Sequence, residues 1–284
     1  MRNSSQQLIT VAVVAATWGV VLLFEWLAPL RRTVESKLRR SVRNLTLSGI
    51  SAVVALVLEA ILIVPVARWV SAHEVGLLHL LQLPAPAALA VAVVLLDYTL
   101  WWWHWASHHV PLFWRFHLVH HIDRDLDAST ALRFHFGEHM LSFLFRCVQV
   151  TLIGATLPMI WVWQAILFAS ILFHHSNMRI PAGLERLVVK LVVTPRMHGI
   201  HHSDRRGEAF TNFSSLLSVW DRLHRTLLLA VPQAAVTIGV PAYSRPEDVT
   251  IGRILVLPFR RMRDDWSDRT AARVAADRRT ELVS

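Results

Sequence analysis

An apolar run as long as a bilayer is thick leaves a chain few folds, and this sequence has several. Leu8–Leu30, Leu45–Val70 and Ala85–Trp105 are each long enough to cross a hydrocarbon core as a helix. Leu141–His175 is apolar for 35 residues, with Gly154 and Pro158 near its middle. That is too long for one ordinary span and suits two helices joined by a tight turn at GATLP. With 54% hydrophobic and 17% charged residues, the composition is unusual for a soluble protein. The fold class that follows is all-α: an integral membrane helical bundle with about five spans.

Charge orients the bundle. Arg31–Arg43 holds six basic residues and one acid, which places it on the cytoplasmic side, whereas residues 71–84 contain no Lys or Arg. The first run lacks a convincing cleavage site and reads as a retained span. VGLLHLLQLP suits a short interfacial helix, and Leu184–Val193 an amphipathic surface helix. A last helix is expected near Trp266–Glu281. Arg146 is placed to snorkel to the interface. Glu59 interrupts the second span, where a carboxyl is expensive and should be neutral, paired or turned toward protein. The formal charge of +9 suits lipid contact better than nucleic acid, because no helix-turn-helix, zinc-finger spacing or aromatic-interleaved basic patch accompanies it. One cysteine, Cys147, excludes an intrachain disulfide and a thiolate cluster.

Histidine is the other unusual residue. His104 and His108 stand four apart, and His117, His120 and His121 have i, i+3, i+4 spacing, which gathers rings on one helix side. The same spacing recurs at His198, His201 and His202. On the topology above, the clusters after span three, before span four and after span five all face the cytoplasm, so a single joint site is possible there, held in a cytoplasmic helical cap. Neutral imidazoles in such numbers suit first-row transition metals and exceed the four ligands of one tetrahedral zinc, which points to two metals. No Glu-x-x-His pattern marks a carboxylate-bridged bundle. A membrane-edge site suits a substrate with a long apolar body, whose C–H bonds call for iron and dioxygen. A hydrolytic two-zinc site is the other chemistry these ligands allow.

The run D-Y-x5-H-x3-H-x2-P-x2-W-R-F-H-x2-H-H at Asp97–His121 resembles the fatty acid hydroxylase / sterol desaturase superfamily. So do the later blocks LFHHSNMRIP, VTPRMHGIHHSDRR and TNFSSLLSVWDRLHRT. The resemblance is close over Asp97–Thr226. It divides the chain into N-terminal transmembrane helices (1–96), a histidine-box catalytic core (97–226) and a basic cytoplasmic tail (227–284). It implies an oxidoreductase, a membrane di-iron lipid hydroxylase or desaturase. Such an enzyme uses two Fe ions, for which Zn can substitute in purified protein, together with dioxygen and a lipid. Electrons would come from a separate donor: a ferredoxin, a cytochrome or a reductase. The implied ligands are His104, His108, His117, His120, His121, His175, His198, His201 and His202. His135, in Arg-Phe-His-x-x-Glu, is implied either as a further ligand or as a residue behind one. Glu138 would sit behind the ligands, orienting an imidazole through its second nitrogen, and Asp97 would either do likewise or serve in capping or packing. Asn177 and Asp221 match family positions in structural roles. His109, His174 and His224 depart from the pattern and are expected to be structural, His174 competing with His175 as ligand. The competing function is a non-enzymatic membrane metal-binding or transport protein, with Glu59 its one midplane acid.

Overall fold

The computed structural model describes residues 4–263, 265 and 266, and among them every regular element is helical. The helix expected near Trp266–Glu281 lies outside the described residues. Among the described residues three stretches are long and apolar enough to cross a membrane: Lys37–Leu81, Ala85–His109 and Leu157–His175.

Helix α1 (Ser4–Leu27) packs along α8 (Leu157–His175). Helix α2 (Lys37–Leu58) continues through a π-helical turn at Glu59–Ile63 into α3 (Val64–His73). Wide turns of this kind often mark functional positions. Here the turn turns Glu59 toward protein, where its Oε2 accepts from Gln164 Nε2 of α8 at 3.2 Å. The expected interfacial helix is the single turn α4 (Leu77–Leu81). Helix α5 (Ala85–His109) then runs the length of the bundle, and α6 (Pro111–His121) folds back against it after a break at Val110, with Pro111 opening the new helix.

The apolar run after residue 136 splits as expected, into α7 (Phe136–Ile153) and α8, with Gly154 left-handed at φ +79° between them. Gly76, at φ +101°, lies directly against that turn, and a Cβ there would run into the backbone of Gly154. Only glycine fits either position. The contact brings the loops before α5 and before α8 to one end of the bundle, which leaves the histidine-bearing ends at the other.

Between the ends lies a core of Ile63, Ala67, Val70, Leu96, Phe143, Val150, Ile160 and Trp163. Around the histidine end a second cluster joins Leu47, Leu118, Val119 and Ile122 to Val240, Tyr243, Val249 and Ile254 from the later part of the chain. The surface helix expected over Leu184–Val193 is shorter, α9 (Ala182–Val188). Beyond it the backbone pairs with residues 216–218 instead: Val193 N donates to Leu216 O at 3.0 Å and Ser218 N to Leu191 O at 3.0 Å. Tertiary pairing overrides the helical pattern of LVVKLVV.

Candidate metal centre

The end of the bundle is closed by α10 (Pro195–His201), capped by Thr194, whose Oγ1 accepts from Met197 N at 3.3 Å. Arg31 lies across α10, donating to Pro195 O at 3.1 Å and to Gln233 Oε1. A Cβ on Gly199 would overlap the Arg31 guanidinium, so the glycine between His198 and His201 is what lets the arginine lie against this helix. Glu25 fastens the neighbouring segments, accepting from Ala128 N at 2.8 Å and Asn177 N at 2.9 Å. Asn177 pairs with the backbone of Arg31 in both directions, at 2.8 and 2.9 Å.

Nine imidazoles meet inside this frame in two groups. His104, His108, His117, His121 and His201 form one; His120, His175, His198 and His202 form the other, and in each group the nitrogens lie within 4.8 Å of one another. The two triplets are shared crosswise. On α6, His117 and His121 (four apart) go to the first group and His120 to the second. At α10, His198 and His202 (also four apart) go to the second group and His201 to the first. Helical spacing explains this, since residues i and i+4 lie about 40° apart around the axis and i+3 falls on the other side of i.

The outer nitrogens are anchored. Nδ1–H of His104 donates to Phe213 O at 2.7 Å, that of His201 to Thr211 O at 2.7 Å, and that of His175 to Ile171 O at 2.8 Å. His120 Nδ1–H donates to Arg133 O at 3.3 Å, and His117 Nδ1–H to Glu138 Oε1 at 2.8 Å. These bonds fix the tautomer and turn each Nε2 lone pair inward.

The inward nitrogens fit a cation. His120 and His175 both donate through Nδ1, yet their Nε2 atoms are 3.0 Å apart. Two neutral rings in that tautomer present only lone pairs to each other, a repulsion that a positive charge between them removes. His175 and His198 Nε2 are 2.9 Å apart, and His198 and His202 Nε2 3.1 Å. In the first group Nε2 of His108, His117, His121 and His201 is buried without a hydrogen-bond partner. Nine all-nitrogen donors with no thiolate suit a first-row transition metal in each group. Burial first, then the neighbouring imidazoles, hold His120, His121, His198, His201 and His202 well below the usual histidine range. They are therefore neutral and ready to bind metal.

The other candidates stand apart from both groups. His135 caps α7: its Nδ1 accepts from Gly137 N at 3.0 Å, and its Nε2–H donates to Leu255 O at 3.1 Å. Among the described residues Asp97 makes no hydrogen bond to an imidazole; its Oδ2 accepts from Leu217 N at 3.0 Å and from the Trp220 indole at 2.6 Å, which ties the 217–220 turn to α5. Asp221 accepts from Phe213 N and Ser214 N, both at 2.9 Å, and so shapes the turn whose Phe213 carbonyl holds His104. His109 is exposed and bonds its own helix, and His224 stacks on Trp101. His174 is buried beside His175 and His198 but belongs to neither group. The carbonyls of Thr211, Phe213, Ile171 and Arg133 have no side-chain signature, and sequence reading passes over them.

Beside the histidines is a cavity of about 170 Å³, walled by Leu100, Trp103, Phe134, Leu167 and Ile171. Glu138→Gln keeps the shape but weakens the hydrogen bond to His117, and metal affinity is expected to fall about 10–100-fold. Competition with a chelator measures it; unchanged affinity would leave Glu138 without an orienting role.

Residues 89–226 match the family model described as fatty acid hydroxylase. Among curated proteins the chain is similar to an ornithine lipid hydroxylase of Rhizobium tropici, 29% identical over 56% of this chain and 47% of that protein. It is also similar to an alkylglycerol monooxygenase of Danio rerio, 26% identical over 52% of this chain and 32% of that protein. A very-long-chain aldehyde decarbonylase of Oryza sativa subsp. japonica is 25% identical over 46% of this chain and 21% of that protein. The match thus spans about half the length of the first of these relatives and a third or less of the others. No solved structure matches the chain.

Proposed function

We propose, from the membership of residues 89–226 in the fatty acid hydroxylase family, that the chain is a membrane di-iron oxygenase that hydroxylates a C–H bond of a lipid. The observation that carries the reading is the pair of buried all-imidazole groups beside an apolar cavity. His104, His108, His117, His121 and His201 would hold one iron; His120, His175, His198 and His202 would hold the other. Bound iron supplies the activation of dioxygen that an unactivated C–H bond requires. The protein's own part is to orient nine ring nitrogens through backbone carbonyls and Glu138, and to keep water from the reacting carbon with Leu100, Trp103, Phe134, Leu167 and Ile171.

The reading includes five crossings, the histidine centre on the cytoplasmic face and a separate electron donor. Residues 1–96 and 227–284 then flank the catalytic core as membrane helices and a basic tail. Hydroxylation takes two electrons and two protons from outside, puts one oxygen atom of O2 into the lipid and releases the other as water.

The test supplies the iron-loaded protein with lipid extract, isotopically heavy dioxygen, and a ferredoxin with its reductase. A lipid product bearing one heavy oxygen atom, formed only with the donor present, is expected. A product with a new double bond and no heavy oxygen would assign desaturation instead. No donor-dependent lipid product would overturn the reading.

A further inference from the structure

Arg146 has a place in the bundle that neither the metal centre nor the packing explains. The side chain is half-buried midway along α7, and it turns inward instead of snorkelling to an interface. Its guanidinium lies 4.9 Å from the ring centre of Phe143 and 5.3 Å from that of Trp163. Among the described residues no hydrogen bond or ion pair reaches it. On the proposed five-crossing topology this is a cation at membrane depth whose direct contacts are ring faces; such a placement is expensive, and such residues mark substrate or ion paths.

Two cavities meet at this side chain. One is the chamber of about 170 Å³ that touches His104, His117, His120, His175 and His198. The other is a groove of about 690 Å³ between α2, α7 and α8, whose wall on α2 and the π-helical turn after it includes Ala52, Ala55, Leu56 and Ala60. Arg146 and His139 line both. Exposed Val53, Leu56, Val57 and Leu144 stand on the same helices, as on a flank that faces lipid. Glu59 also lines the groove and lies within electrostatic reach of Arg146, but its hydrogen bond goes to Gln164. The guanidinium therefore retains its donors for something that enters.

We propose that Arg146 is the anchor of the substrate path: it binds the anionic oxygen group of an acidic lipid that enters sideways between α2, α7 and α8. A guanidinium fork matches a carboxylate or phosphate with two parallel hydrogen bonds. Arg146 stands about 12 Å along α7 from Glu138, which holds His117, and helical side chains lean back toward the N-terminus. The carbon presented to the histidines then belongs to the part of the lipid near the acid group, and the far methyl end lies elsewhere. This deepens the oxygenase reading and rests on it for the identity of the lipid as substrate.

The test measures equilibrium binding to the full chain in neutral-lipid nanodiscs, with dodecanoate, dodecyl phosphate and methyl dodecanoate as probes. Wild type is expected to prefer an anion over the ester by about 10-fold or more. Preference for dodecanoate alone assigns a carboxylate, and preference for both anions assigns either group. Arg146→Gln should lose the preference while still binding the ester, and Arg146→Lys should keep part of it. Equal binding of acid and ester by wild type would overturn the proposal without any variant. So would a retained preference in a folded Arg146→Gln. Because binding is read without turnover, failure of the oxygenase reading would show separately, as an anion preference with no oxidised product.

Discussion

His201→Ala and His198→Ala are each expected to cost the chain metal and to lower activity by more than the ~100-fold that a hydrogen-bond partner behind a ligand is worth. His201 belongs to the group of five and His198 to the group of four, so the two variants address the two metals separately. Each removes a ring that is nearly or fully inaccessible, 0% exposed for His201 and 2% for His198. Helix content should persist, because most of the buried apolar core lies away from these rings. His109→Ala is the control: that ring is exposed, its Nδ1–H donates to Trp105 O of its own helix, and metal and activity should stay unchanged. Metal analysis of the three purified variants checks this. Full metal content in His201→Ala would break the assignment of the first group.

Arg40→Ala should be the most destabilising single change away from the histidines, by about 3–5 kcal/mol, the cost of leaving buried charges uncompensated. Arg40 is 0% exposed and sits among three carboxylates of one loop. Its guanidinium donates to Asp123 Oδ2 at 3.1 Å, to Asp127, to Asp125 O at 3.1 Å and to Thr130 Oγ1 at 3.0 Å. Burial alone would raise the Asp123 carboxyl, but Arg40, Arg133, Asn44 and Arg43 together hold it below the usual carboxylate range. A depressed carboxyl contributes stability at neutral pH that is lost as pH falls through its folded value, so the loop should loosen in acid, below the usual carboxylate range. The same loop ends at Arg133, whose carbonyl receives His120 Nδ1–H. Loss of Arg40 should therefore loosen the group of four as well. Detergent-state unfolding measures the effect. A loss below about 1 kcal/mol would mean the network is not what holds the loop, since an exposed pair is worth that little.

Much of this was legible in the sequence because the signals were periodic. The double-length apolar run around Gly154 had to turn, and the triplets at His117–His121 and His198–His202 had to gather on helix faces. Their crosswise division was within reach of the same geometry, but it required knowing that α6 and α10 approach one another. Arg31 and Arg40 read as cytoplasmic surface charge, since an i-to-i pattern does not reveal that one lies against Gly199 and the other among three aspartates. Asp97, expected either behind an imidazole or in a capping or packing role, fastens a turn. Its partners, Leu217 N and the Trp220 indole, are some 120 residues away in sequence. The carbonyls that orient His104, His120, His175 and His201 belong to the fold alone. Arg146 looked like an interfacial cation until α2 and α8 supplied the groove around it.

The central claim is that the two histidine groups hold a pair of irons, and metal analysis with Mössbauer spectroscopy on wild-type protein grown with ample iron tests it most directly. About two iron atoms per chain, antiferromagnetically coupled, is the expected result for two neighbouring nitrogen-rich sites. A single zinc held tightly, not displaced by ferrous iron and with no activity regained on iron loading, would contradict it.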